Sequence, residues 1–459
     1  MHRKAILTVS VLLLLATILA ACNSEKNGSA DSTAADGGKK ETIKISIGED
    51  DYGARMKNYE AAFKALNEEL KAQGKAVEVV ADVMPKVGDD ELVLQAQAGQ
   101  YRDISMNSSV DIGWELDAGL IQPIDWLKDS EVFKSLEDNL WNVMIYQGHV
   151  YGAIQDIDAS PLYINKAALQ KLGWSDADIA ALPDQVKAGQ FTMDDMLNVA
   201  TEAVSKGITK YGLGCDGLDN ICIQNINNQI MGFEPYDIEQ SKTIFDKKGI
   251  TDTYAFWKKG IDSGAFSKDF ASFEDAGYGY YVNGQFMFFI GGTGTYKSMG
   301  DAFGKTDKEF EEWFYANNTF SLIPAGTKGG KPGSLSNPRV YFVSSKVDEK
   351  KMPYVQRIIE LAMAPNLQMD HTVASGKLPV TKDAQNDPRF KDNKFIQDVA
   401  YMLEYTGVRP PHLAYPDYRD MYKKGIESLM TKGNSPEQAY EFFYSNFKQT
   451  IGDDQVIYQ

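Results

Sequence analysis

The chain has 459 residues and a formal net charge of -17 at neutral pH, with 43% hydrophobic and 24% charged residues. That length holds two domains of ordinary size, and so acidic a surface disfavours nucleic acid and anionic lipid as partners. It leaves the charge of a small ligand open, because a local pocket can oppose the sign of the whole.

His2, Arg3 and Lys4 make a basic start, and the apolar run from Ala5 to Ala20 is short for a bilayer span. The run closes with Leu19-Ala20-Ala21-Cys22, the lipobox pattern of bacterial lipoproteins. Small residues admit a signal peptidase, and the Cys22 thiol accepts diacylglycerol and becomes the new N-terminus. A transmembrane anchor that merely ends in cysteine fits the charge, run length and cysteine position less well. Residues 1–21 are therefore expected to be a signal peptide. Residues 22–41, rich in Ser, Ala, Gly, Asp and Lys without an apolar period, are expected to be a disordered tether. No later apolar segment is long enough to span, which predicts a lipid-anchored protein on the outer face of the cytoplasmic membrane, or the periplasmic face in a host with two membranes.

Ile43 to Ile47 alternates as a strand, Met56, Tyr59, Phe63, Leu66 and Leu70 recur at helical spacing, and Ala76 to Ala81 alternates again. A β-α-β opening requires a largely parallel sheet, continued by a helix over Leu92 to Gln97 and a strand over Asp103 to Met106. Ligands of such sheets sit beyond the carboxyl ends of the strands. That singles out the loop with Asp50 and Asp51, and the loop Asn107-Ser108-Ser109 before a helix over Val110 to Ala118. Each is equally well read as helix-terminus chemistry: solvated acids at an N-terminus, or a serine N-cap.

The stretch His149 to Lys166 turns, becomes strand-like, passes Asp156 and Asp158, and leaves as Leu162-Tyr163-Ile164 into a helix. A strand with polar side chains at its midpoint, running on into a second α/β unit, suits a hinge between two lobes. Farther on, Thr192 caps an amphipathic helix, and Tyr211 to Asn220 reads as a strand ending in a polar loop with Asp216, Asp219 and Asn220. Cys215 and Cys222 fit a disulfide or two small buried apolar residues equally well, and the lack of nearby histidine argues against a metal. Phe286 to Ile290 is a fully apolar strand that enters a helix through Gly291-Gly-Thr-Gly294, and the spacing satisfies neither nucleotide-binding pattern.

Tyr151-Gly152, the carboxylates that follow, and Tyr163-Ile-Asn-Lys166 before a helix resemble the hinge of family 1 extracellular solute-binding proteins, the sugar receptors of ABC importers. The likeness continues through Phe191-Thr192, the proline and glycine-rich turn after Phe320, the return strand at Val340, Ala374-Ser-Gly-Lys-Leu-Pro-Val380 with Asp383, and Arg409 to Tyr418. It implies an α/β, two-lobed periplasmic-binding-protein-like fold of type II, with a three-crossover hinge and a helical C-terminus. The lobes would be 42–155 with about 338–377, and 156–337 with about 378–459. Where relatives carry an aromatic residue after Gly-Pro, this chain has Gly294, with Tyr296 two residues later.

The resemblance implies a receptor that captures a carbohydrate, an oligosaccharide above all, and delivers it to an ABC permease as a monomer, without cofactor, metal or covalent chemistry. The expected ligand contacts are Asp50, Asp51, Asn107, Ser108, Trp141, Asp156, Asp158, Asp216, Asn220, Tyr296, Arg339 and Tyr418. Carboxylates and amides would bond vicinal hydroxyls, and rings would stack on the sugar. Arg339 is as well placed for a surface ion pair, and Tyr418 for a core. A glycoside hydrolase using two of Asp50, Asp51, Asp156, Asp158 and Asp216 is the rival, although no catalytic motif accompanies them. A third reading has the same receptor report to a membrane sensor kinase.

Overall fold

The computed structural model describes residues 40–48, 53–215, 221–232, 235–237, 240, 242–268, 276–411 and 414–459. The expected signal peptide, the tether, the lipidated Cys22, and the site candidates Asp50, Asp51, Asp216 and Asn220 lie outside them.

The opening follows its periodicity. Strand Glu41–Gly48 buries Ile45 and Ile47. Helix Gly53–Ala72 lays Tyr59, Phe63, Leu66 and Leu70 on the sheet, and strand Val77–Met84 returns parallel to the first. The third strand departs from expectation. It runs Ile104–Ser108, so Asn107 and Ser108 belong to the strand and not to a loop. Asp103 is left outside it, accepting from Ser46 N–H at 2.8 Å and pairing with Lys351 at 2.7 Å. The cause is a partner far along the chain: Arg339–Val343 pairs antiparallel with residues 104–108 and places Arg339 opposite Ser108. Gly152–Asp156 completes five strands on the far side of Arg339–Val343.

A second sheet has four strands. Leu162–Asn165 lies antiparallel between Phe286–Ile290 and Asn318–Ser321, and Tyr211–Cys215 runs parallel to Phe286–Ile290 at the edge. Its central strands are buried along their full length, as an uninterrupted apolar run requires when both faces are covered. A capping box at Thr192 starts helix Met193–Ser205 where the sequence places it, and another at Ser435 starts helix Pro436–Thr450. Cys215 and Cys222 are joined as a disulfide, which settles that alternative.

The chain passes between the sheets three times. It leaves the five-stranded sheet after Asp156 and enters the four-stranded one at Leu162. It comes back through Ser334–Ser336 into Arg339–Val343. After helices Met352–Ala362 and Pro365–Ser375, which pack on the first helix, it passes Leu378, whose N–H donates to Ile157 O at 2.8 Å. The last part is helical: Tyr415–Lys432 and Pro436–Thr450 pack against each other and on Lys247–Asp262.

After this passage, Phe395 packs onto the second sheet. Phe395 stacks on Tyr296 at 3.9 Å between ring centres, and also meets Tyr163, Phe314 and Phe320. Phe395→Ala should cost about 3–5 kcal/mol, the usual loss for a buried phenylalanine, read as a lower urea midpoint. A loss below about 1 kcal/mol, the scale of ordinary surface changes, would show that the cluster does not hold the passage.

Candidate functional site

The three passages lie side by side, and the polar residues of the chain converge there. Asp158, on the first passage, joins all three. One carboxylate oxygen accepts from Ser336 Oγ on the second at 3.1 Å, and the other pairs with Lys377 Nζ on the third. The Asp158 N–H also donates to Ser336 Oγ at 3.2 Å. Two residues on, Ser160 N–H donates to Ser334 Oγ, and Ser160 Oγ donates to Leu335 O, each at 2.6 Å.

Asp156 ends its strand 2% exposed, inside the first lobe. Its Oδ2 pairs with Arg55 Nε at 3.2 Å and with His371 Nε2 at 2.8 Å. Burial alone would raise its pKa. The Arg55 charge and the His371 ring more than offset that and hold the carboxyl well below the usual range. Beside it, Gln155 Nε2 donates to Asn58 Oδ1 at 3.0 Å and to Tyr341 Oη at 2.6 Å, and Asn58 Nδ2 donates to Ala362 O at 3.1 Å. Arg55 and His371, neither of them among the expected site residues, thus hold Asp156 in the framework.

Asn107 and Ser108 are also engaged. Asn107 Nδ2 donates to Glu115 Oε1 at 2.5 Å. Ser108 caps the turn Ser109–Asp111, as its capping reading expects, and its hydroxyl donates to Asn337 Oδ1 on the second passage. Trp141 is half-buried beside Phe133 in the turn Asp138–Val143. Tyr418, 3% exposed, packs among Tyr422, Phe443 and Phe447. Tyr296 sits in the Phe395 cluster with Phe310 and Phe314. The expected stacking role of Trp141, Tyr296 and Tyr418 thus meets rings already turned to protein neighbours.

Gly292 leaves no room for a side chain beside Asp158. A Cβ there would lie 2.5 Å from Asp158 Oδ2, and its carbonyl accepts from Tyr163 Oη at 2.9 Å. A Cβ at Gly294 would meet Ser375 O of the third passage at 3.4 Å. Two first-turn donors of the following helix are spent within the turn, Thr295 N–H on Gly292 O and Tyr296 N–H on Thr293 O.

What stays uncommitted is basic. Arg339 is half-buried at the head of its strand, opposite Ser108 and Asp156, and forms no ion pair with a carboxylate among the described residues. Arg409, also absent from the expected site, is 6% exposed at the end of strand Thr406–Val408, which lies parallel to Ser334–Ser336. Its Nε donates to Gln224 Oε1 at 2.6 Å, and its N–H to Ser336 O at 3.4 Å. Burial pushes its pKa down to about 10, against the pull of Tyr415. An arginine before two prolines carries no local signal beyond an extended backbone. Among the described residues no group of His, Cys, Asp or Glu is placed to hold a metal ion, and no helix is long and apolar enough to cross a membrane.

Residues 61–397 match the family model described as bacterial extracellular solute-binding protein. A comparison with curated proteins finds no match. Among solved structures, the maltose-bound MalE3 of T. maritima superposes with a TM-score of 0.68 at 14% identity, covering 89% of this chain and 100% of that one. The GacH receptor of Streptomyces glaucescens, studied unliganded and with acarbose, gives 0.68 at 16%, covering 90% and 99%. A solute-binding protein of an ABC transporter from Thermotoga lettingae, bound with α-D-tagatose, gives 0.65 at 19%, covering 90% and 100%. At such identities the likeness shows the two-lobed fold.

Glu115 beside Asn107 gives the seam a pH signature. Burial drives its carboxyl up to about 8, and the Asn107 bond offsets only part of this. The folded chain therefore keeps a proton that the unfolded chain releases near pH 4.3. Stability should fall as pH rises from about 4.5 to 8, by up to a few kcal/mol. Urea midpoints at pH 5 and pH 8 should differ in this direction, and Glu115→Gln should flatten the difference. Equal slopes in the two proteins would place the effect elsewhere.

Proposed function

Since the chain belongs to the bacterial extracellular solute-binding proteins, we propose that it captures a carbohydrate, an oligosaccharide above all, between its lobes and hands it to an ABC permease. The observation that carries this reading is the triple passage joined through Asp158. Three adjacent strands restrict twist and leave bending as the soft motion, and a ligand touching both lobes shifts the population toward the closed form. The ligands of the similar structures, maltose, acarbose and tagatose, are sugars and support the same ligand class.

The lobes of this receptor are 42–155 with about 338–377, and 156–337 with about 378–459. Asp50 and Asp51, after the strand ending at Gly48, and Asp216 and Asn220, after the strand ending at Cys215, are its contacts from the two sides, with Arg339 at the seam. It acts as a monomer, held at the outer membrane face by the lipid on Cys22. The protein is a receptor and not an enzyme. Asp156 and Asp158 are tied to Arg55, His371 and Lys377, whereas a glycosidase needs one carboxyl kept protonated as the acid.

Thermal unfolding of the full chain in detergent against oligosaccharides and other solutes tests the reading. A sugar at a hundred times its Kd should add about 2.7 kcal/mol, seen as a saturable rise in Tm with no released product. Hydrolysis of that sugar would make the protein an enzyme. A rise with peptides or polyamines and with no sugar would keep the trap and discard the carbohydrate.

A further inference from the structure

Among the cations described at the seam, four fall into two kinds. Arg55 and Lys377 each have a carboxylate, Asp156 and Asp158. Arg339 and Arg409 have none among the described residues. Two carboxylates near them are otherwise occupied. Asp111, near Arg339, accepts from Trp114 Nε1 at 3.0 Å and from Ser108 N–H at 3.1 Å. Asp158, near Arg409, is spent on Lys377 and Ser336. Arg339 is itself among the charges that act on Arg409. The Arg409 N–H meets Ser336 O, three residues before Arg339, so two like charges lie on neighbouring segments, neither in an ion pair with a carboxylate among the described residues.

A buried guanidinium without an opposite charge is costly unless something supplies one. Gln224 is a neutral partner and uses only the Nε edge of Arg409. The two Nη groups of Arg409 have no hydrogen-bond partner among the described residues. Hydroxyls of a neutral sugar would bond to them but bring no charge. A carboxylate matches the planar fork with two parallel bonds and neutralises it.

We infer that the site selects an acidic sugar, one whose carboxylate is received by Arg339 and Arg409, so that the ligand is a uronic-acid-bearing saccharide. This rests on the receptor reading above. The placement also couples recognition to closure. Arg339 heads a strand of the first sheet, whereas Arg409 comes from the segment that follows the third passage. One carboxylate held by both therefore bridges the two lobes, the differential contact that a population shift requires. The overall charge of -17 makes this basic spot a local reversal of sign, in keeping with a pocket that opposes the surface around it.

Calorimetric titration of the full chain in detergent tests this, with galacturonate and glucuronate oligomers, their methyl esters, neutral oligomers of equal length, and sulfated and phosphorylated sugars. The free acid should bind roughly 10- to 100-fold more tightly than its methyl ester, the factor that hydrogen bonds to a charged group are worth. Arg339→Gln, at a half-buried position tolerant of the change, should narrow that ratio, and Arg409→Lys should narrow it while keeping the charge that Arg409→Gln would remove. Equal binding of acid and ester, or tighter binding of a neutral oligomer, overturns the inference and leaves the sugar receptor standing. A sulfated or phosphorylated sugar that outcompetes the uronate overturns the carboxylate assignment. Binding of no sugar at all removes the receptor reading and this inference with it.

Discussion

The Asp158 carboxylate is the contact on which the arrangement depends. It lies on the first passage, accepts from Ser336 on the second and pairs with Lys377 on the third. A carboxylate withdrawn from water is tolerated only with its charge matched and its lone pairs used. Here that condition is met by residues from two other passages, so the charge can be buried only where all three are side by side. Gly292 belongs to the same constraint, because any side chain there would displace the Asp158 oxygen.

Around this contact, most of the charged and polar groups are spent on one another. On the first-lobe side, Asp156 with Arg55 and His371, and Asn58 with Gln155 and Tyr341, form a linked buried network. Such networks are stiff because each group's loss would strand another. The aromatic residues behave alike: Tyr296 and Tyr418 complete packed clusters. The basic pair Arg339 and Arg409 differs: among the described residues it is engaged by backbone and a neutral amide and by no carboxylate ion pair.

The elements were legible wherever local chemistry decides them. Alternation gave the strand at Ile45 and Ile47, helical spacing gave Tyr59 to Leu70, and Thr192 marked a helix start. Ser108 shows the limit. Its capping role was readable, yet it was placed in a loop because its strand is prolonged by pairing with Arg339, more than two hundred residues away. Tyr418 shows another. A tyrosine-rich amphipathic helix looks the same whether its rings line a cleft or a core, and only the neighbours Phe443 and Phe447 distinguish them. The pair Cys215 and Cys222 could not be assigned from spacing, because bonding depends on the path between them.

By itself, the sequence determined the succession of α/β units and their caps. These follow from periodicity, capping and turn chemistry, which act over a few residues. Only the tertiary structure decided which charges neutralise one another. Asp158 meets Lys377 from 219 positions away, and Asp156 meets Arg55 and His371 from 101 and 215. Electrostatic pairing depends on distance through space, so the assignment of Asp156 to the framework, and of Arg339 and Arg409 to the uncommitted side of the seam, came only with the fold.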